Sequence, residues 1–228
     1  MPSTNGDQQF ASKPDAARAY TTLGLAVILS QYPVPNYHAE PPHPSGLACS
    51  CGDPHCATPA RHTIGIMTAD RATTNTGRVM AWWAGMPDAN IAMPAGQMCE
   101  VLELRYHADP EQVALWLAVH HLDPGPILDA GPDLMQFPAR SSHPPSPHVR
   151  AVGLPGGGRL AWLKSDTLVL LPPSQTISGH ITRWARPFTT RTALLPEADP
   201  LFATLERLPA AAELEDWIKA QGAWPDGR

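Results

Sequence analysis

Long apolar runs are missing from this sequence, and nothing in it approaches the roughly 18 to 20 residues that a membrane-spanning helix needs. The first residues, with Asn5, Asp7, Gln8 and Lys13, lack the apolar stretch of a signal peptide, which points to a cytoplasmic protein without membrane contact. A phosphate-binding loop of the Gly-x4-Gly-Lys-Ser/Thr type is missing too, so no ATPase motif of that kind is present. No segment repeats at a fixed period, which excludes a solenoid. Charge is scarce, at 16% of residues, and the formal net charge of -5 argues against a generic nucleic-acid binder, because Lys and Arg supply most of the affinity for phosphate backbones.

What is present is a 228-residue chain with 43% hydrophobic residues and 27 prolines. That length and composition suit one α/β domain, or one domain with two lobes, joined by rigid loops. The negative average hides a division. Between Arg140 and Arg191, seven basic residues (Arg140, Arg150, Arg159, Lys164, Arg183, Arg186, Arg191) meet one acid, Asp166. This segment is either a phosphate-facing surface or a solvated basic face.

Local signals outline a strand-and-helix alternation. Asp15 is the expected N-cap of a first helix that Gly24 ends, and LAVILSQY reads as a strand. A helix is expected over 75–84 and strands over 90–94 and 99–106. Asp109-Pro110 starts a helix running to Leu122, with Asp as cap and Pro at the first helical position. Further strands are expected at 126–129, 134–138, 159–163, 167–171 and 180–184, and helices at about 199–207 and 210–221. Leu201, Phe202, Leu205, Leu208, Leu214, Trp217 and Ile218 recur at helical spacing in that last pair, a pattern that suits core packing first and a partner surface second.

From Pro33 to Arg61 there is no periodicity, and the stretch is too long for an ordinary loop. Cys49, Cys51, Cys56 and His62 lie within it or beside it in the spacing C-x-C-x4-C-x5-H, a set of ligands that tetrahedral zinc selects. His55 and His43 compete with His62 for the fourth place. Disulfides and unrelated thiols are the alternatives, and Cys49 and Cys51 are too close in sequence for an easy bridge to each other. Cys99, alone in a strand, reads as a small buried hydrophobe.

Three segments resemble one family. LACSCGDPHCATPARH resembles the Cys-rich loop ending in Pro-Gly-Lys-His of actinobacterial bifunctional DNA primase/polymerase N-terminal domains. WWAGMPDANIAMPAG (82–96) is similar to that family's Trp-Trp, Pro-x-Ala-Asn-Ile-Gly segment, and VLLPPSQTISGHITRW (169–184) to its Pro-Pro-Ser, Gly, Tyr-x-Trp segment, in the same order. The resemblance covers about 15–190, with 191–228 left as a helical extension packed on it. It implies an α/β (α+β) fold of two lobes around a cleft, carrying the zinc loop at about 43–62.

The chemistry implied by the resemblance is nucleotidyl transfer by two divalent metals, which requires carboxylates close together. The family's Asp-x-Asp falls on Glu103-Leu104-Arg105, so Glu103 stands for the first acid while Arg105 takes the second place. Residues two apart on a strand share a face, and Glu100 points to the other one. The triphosphate-binding His falls on Leu134, and the third acid near Ala161. Asp129, Asp133 and Asp166 are the acids that could replace them. The resemblance therefore implies a primase/polymerase-like domain that binds nucleotide or single-stranded DNA, with transfer reduced or absent. Magnesium or manganese belongs to it only if it is active. Arg140, Arg159 and Lys164 are the candidates for phosphate. The alternatives are an active enzyme using Glu103 with relocated acids, and a zinc-stabilised regulatory module that binds a protein of the replication machinery.

Overall fold

The computed structural model describes residues 10–36, 45–140, 150–163, 165–188 and 194–220. It is a mixed α+β fold with strands β1 (Ile28–Ser30), β2 (Pro33–Pro35), β3 (Leu47–Cys49), β4 (Asn90–Pro94), β5 (Glu100–Arg105), β6 (Ile127–Gly131), β7 (Leu134–Ala139), β8 (Arg150–Gly153), β9 (Arg159–Trp162), β10 (Leu168–Leu171) and β11 (Arg183–Arg186). The helices are α1 (Lys13–Thr22), α2 (Thr76–Gly85), α3 (Pro110–Val119), α4 (Ala198–Leu205) and α5 (Ala211–Ala220). No helix among the described residues is long and apolar enough to cross a membrane.

All strand pairs are antiparallel, in sheets ordered β1-β4-β10, β11-β6-β7-β5-β9-β8 and β2-β3. Two large cores follow from the alternation of side chains along the strands. One gathers α1, α2 and the inward residues of the three-stranded sheet, such as Ile91, Met93 and Val169, against Val101 and Leu128 of the six-stranded sheet. The other lies on the opposite face of the six-stranded sheet, where Leu102, Leu104 and Phe137 meet α3, α4 and α5. Leu201, Phe202, Leu205, Leu208, Leu214 and Ile218 are all buried there and Trp217 packs against them, so these apolar residues are core and not a free partner surface. Glu103 and Arg105 sit between Val101 and the strand end, on the face turned away from this second core.

Several boundaries differ from the sequence-based expectation for local reasons. The cap of α1 is Ser12 and not Asp15: Ser12 Oγ accepts from the Asp15 amide at 3.3 Å and donates to its carboxylate at 2.7 Å, while Pro14 fits the first turn. Gly24 follows with φ 87°, as a helix stop requires. Asp109 does cap α3, in a reciprocal box with Gln112, but His121 turns left-handed (φ 60°) and ends the helix before Leu122. The expected strand over 25–32 shrinks to β1, and that over 180–184 shifts to β11, because residues 175–182 fold into a turn whose Gln175 and Ile181 make an isolated bridge. Sequence patterns did not mark β2, β3 or β8, which are short and carry no alternation of burial.

The family-like segments are bonded to each other. Ser174 Oγ accepts from the Ile91 amide at 2.9 Å and donates to its carbonyl at 3.0 Å. Buried Asn90 bonds both backbone groups of Gln175, donating to its carbonyl at 2.7 Å and accepting from its amide at 3.0 Å. Trp184 donates to Tyr20 Oη at 2.9 Å, and Tyr20 donates in turn to the Pro172 carbonyl at 2.8 Å. Buried polar groups satisfied in this way fix one arrangement of the 172–184 strap, which forms one wall of the cleft described next.

Candidate functional site

The Pro-rich segment is organised by converging side chains. In the β2-β3 hairpin Pro33 stands opposite Cys49, and the chain then turns back so that Cys51, Cys56 and His62 meet Cys49. Their ligand atoms all lie within 4.8 Å of one another, with Sγ of Cys49 and of Cys56 each 3.3 Å from His62 Nε2. Backbone contacts hold them in place. The Gln31 amide and Ser30 Oγ donate to the His62 carbonyl at 2.9 and 3.0 Å, and the Ala60 amide donates to Cys49 Sγ at 3.3 Å. Zinc–sulfur and zinc–nitrogen bonds of about 2.3 and 2.0 Å put tetrahedral neighbours roughly 3.5 Å apart, so the donor set and its spacing fit that ion. Burial, reinforced by the neighbouring thiols Cys51 and Cys49, pushes the Cys56 thiol up to about 12, a crowding that a cation relieves.

The competing histidines resolve in part. His55 is exposed and outside the cluster, its amide donating to Asp53 Oδ1 at 2.8 Å. His43 lies outside the described residues. Cys99 is buried beside Met93, and burial pushes its thiol up to about 12, so it stays a neutral hydrophobe.

Next to this cluster is a cleft. A cavity of about 300 Å³ is lined by Arg61, Arg105, Gln136, Leu170 and the turn Thr176, Ile177, Ser178. A wider groove of about 780 Å³ shares Arg61 and Ile177 and adds His62, Glu103 and Asp166. Glu103, whose side chain is 12% exposed, accepts from Gln136 Nε2 at 2.8 Å. Arg105 Nη2 is 3.7 Å from its Oε1, on the same strand face, and Arg61 Nη2 is 3.7 Å from its Oε2. Arg61 directly precedes the ligand His62, so the Cys/His loop carries its guanidinium to the carboxylate; it also donates to the Leu168 carbonyl at 3.4 Å.

Three of the other acids are engaged elsewhere, and Asp166 shares the groove. Glu100 points to the opposite face and accepts from Trp162 Nε1 at 2.9 Å. Asp129 is held by Arg183 Nε at 2.7 Å; His180 Nε2 is 3.2 Å from its other oxygen but off the line of a hydrogen bond, and makes no other. Asp133 pairs with His107 at 2.8 Å. Asp166 lines the wider groove, with Gln97 Nε2 3.4 Å from its Oδ1. Ala161 sits directly opposite Glu103 on β9 and Leu134 opposite Arg105 on β7. Among the described residues the Cys/His cluster is the one group of three or more Cys, His, Asp or Glu donors that can hold a metal.

The basic segment disperses on folding. Arg140 pairs with Glu197 at 2.8 Å, at the end of β7 opposite Leu134 and away from the cleft. Arg150 pairs with Glu206, Arg183 with Asp129 and Arg186 with Asp123. Arg159 stands directly opposite Arg105 across β5 and β9 and has no ion pair among the described residues. Lys164 and Arg191 lie outside those residues. Linear charge density thus concealed that most of these arginines meet acids from other parts of the chain. Arg61 and Gln136 escaped sequence reasoning; the one signal for Arg61 was its place where the family-like loop carries Lys.

A family model for the bifunctional DNA primase/polymerase, N-terminal domain matches residues 17–198. The chain belongs to this family. No curated protein matches it. For a primase/polymerase domain, paired divalent ions call for a shared set of carboxylate oxygens. The donor set at Glu103 does not fit them: one carboxylate is flanked by two guanidiniums, each permanently charged and each repelling a cation.

Proposed function

We propose that this primase/polymerase domain binds nucleotide or single-stranded nucleic acid in the cleft between the Cys/His loop and the six-stranded sheet, with little or no nucleotidyl transfer. The supporting observation is the pair of guanidiniums 3.7 Å from the two oxygens of Glu103. Arg105 replaces the second acid and Arg61 closes the other side. The same charges that repel divalent ions attract phosphate, and Arg159 extends them along the sheet. Zinc on Cys49, Cys51, Cys56 and His62 would supply the fixed geometry that keeps Arg61 in the cleft, by crosslinking a segment with little core of its own.

Binding is the direct test. Fluorescence anisotropy with a labelled nucleotide and with a labelled single-stranded oligonucleotide at low salt should give an affinity that falls as salt rises. The Arg61→Ala variant should weaken it by about tenfold, the scale of one charge-assisted contact. No binding of either ligand at low ionic strength ends this reading.

A further inference from the structure

The misfit between Glu103 and paired cations has a counterpart in what the cleft does offer. Arg61 and Arg105 approach opposite oxygens of one carboxylate, so a single internal anion serves two cations. Arg105 is also in direct register with Arg159, and like charges facing each other across an antiparallel pair oppose folding. An anion between them removes that cost. Gln136 supplies a second, independent sign of a ligand. It is 1% exposed and lines the cavity, and its Nε2 donates to Glu103, which fixes the orientation of the amide. Its Oε1 is therefore a buried acceptor with no hydrogen-bond partner, a group that costs stability unless a donor reaches it. A hydroxyl or amine on the ligand would provide that donor.

We propose that the cleft takes the polyphosphate of a nucleoside triphosphate directly on Arg61, Arg105 and Arg159, without a divalent cation, and that Glu103 is the resident counter-ion which the phosphate displaces. This rests on the nucleotide reading above. A compact occupant fits better than a strand, because Arg61 and Arg105 line a cavity of about 300 Å³ and Arg159 stands directly opposite Arg105 on the neighbouring strand. That volume is at the lower end for one small molecule. A nucleic-acid backbone calls instead for a basic track, and Arg140, Arg150, Arg183 and Arg186 are in ion pairs elsewhere. In such a site magnesium competes with the protein for the phosphates. Glu103 competes with the phosphates for the arginines.

Calorimetric titration of the zinc-loaded protein with dATP, in resin-treated magnesium-free buffer and again with excess magnesium, tests this. Binding without magnesium should be at least as tight as with it. Glu103→Gln keeps the shape and the Gln136 hydrogen bond but removes the competing charge, so it should tighten dATP by about tenfold in magnesium-free buffer. A single-stranded oligo(dT) should gain less than dATP from that substitution. The comparison of buffers uses the unaltered protein, so it decides even if the variant fails to fold. Binding of dATP that requires magnesium, or that weakens in Glu103→Gln, overturns the inference while leaving nucleotide binding intact. A larger gain for oligo(dT) than for dATP overturns the choice of occupant. Absence of dATP binding in both buffers overturns the inference, and oligo(dT) binding in the same experiment then decides whether the broader reading survives.

Discussion

A primed template incubated with this domain, all four deoxynucleotides and magnesium or manganese should be recovered unextended, at a rate at least about a thousandfold below that of a relative with paired acids. The expectation follows from electrostatics. Two-metal transfer needs carboxylate oxygens that bridge both ions, and Glu103 supplies one carboxylate with guanidiniums 3.7 Å from each of its oxygens. Of the acids that could replace the missing ones, Asp129 is held by Arg183 and Asp133 by His107, while Glu100 is on the reverse face of β5; Asp166 lines the same groove as Glu103, and among the described residues no group of three such donors forms there. Gel-resolved incorporation of labelled nucleotide at high protein concentration checks it. Extension that disappears in Glu103→Ala would show that acids gather at this position after all.

Removal of the Cys/His metal carries the other large effect. One zinc per chain should be found by elemental analysis, and chelation or the Cys49→Ser substitution should lower the thermal midpoint by at least about 10 °C. Cys49 is the buried member, and its Sγ also accepts the Ala60 amide, so its loss opens the site and the loop together. The effect should reach the cleft. His62 holds β1 through its carbonyl, and Arg61, one residue away, contacts Glu103. Cobalt substitution gives a second readout, since tetrahedral thiolate ligation has a visible absorption that disulfides lack. A metal-free protein with an unchanged midpoint would contradict the assignment.

Much of the scaffold was legible because local chemistry dictated it. Asp109 caps α3, the helix expected over 75–84 became α2, and the strand patterns at 90–94 and 134–138 became β4 and β7 with nearly the expected limits. The Cys/His spacing also read correctly as a converging set. The residues that carry the resemblance include structural ones: Asn90 and Ser174 bind the 172–184 strap to β4, and Trp184 binds β11 to its start through Tyr20.

The cleft itself was only half legible. That Glu103 and Arg105 share a face follows from strand period, and the structure has it so. That Arg61 reaches the same carboxylate could not be read, because it depends on how a 14-residue Cys/His loop (49–62) folds back across the sheet. The basic segment was undecided because its ion-pair partners come from other parts of the chain. Seven charges in sequence left a phosphate-facing surface and a solvated basic face both open, whereas Glu197, Glu206, Asp123 and Asp129 neutralise four of them in the folded chain. Gln136 carried no sequence signal at all, since a glutamine in a strand is unremarkable until its carbonyl is found buried and alone.

Manganese titration followed by electron paramagnetic resonance, with and without dATP, probes the exchange of metal for guanidinium most directly. With zinc occupying the Cys/His site, the free-ion signal should fall only as far as dATP in solution chelates manganese, and Glu103→Ala should leave the titration unchanged. One or more bound manganese ions per chain that vanish in Glu103→Ala would show that the cleft holds divalent cations despite Arg61 and Arg105.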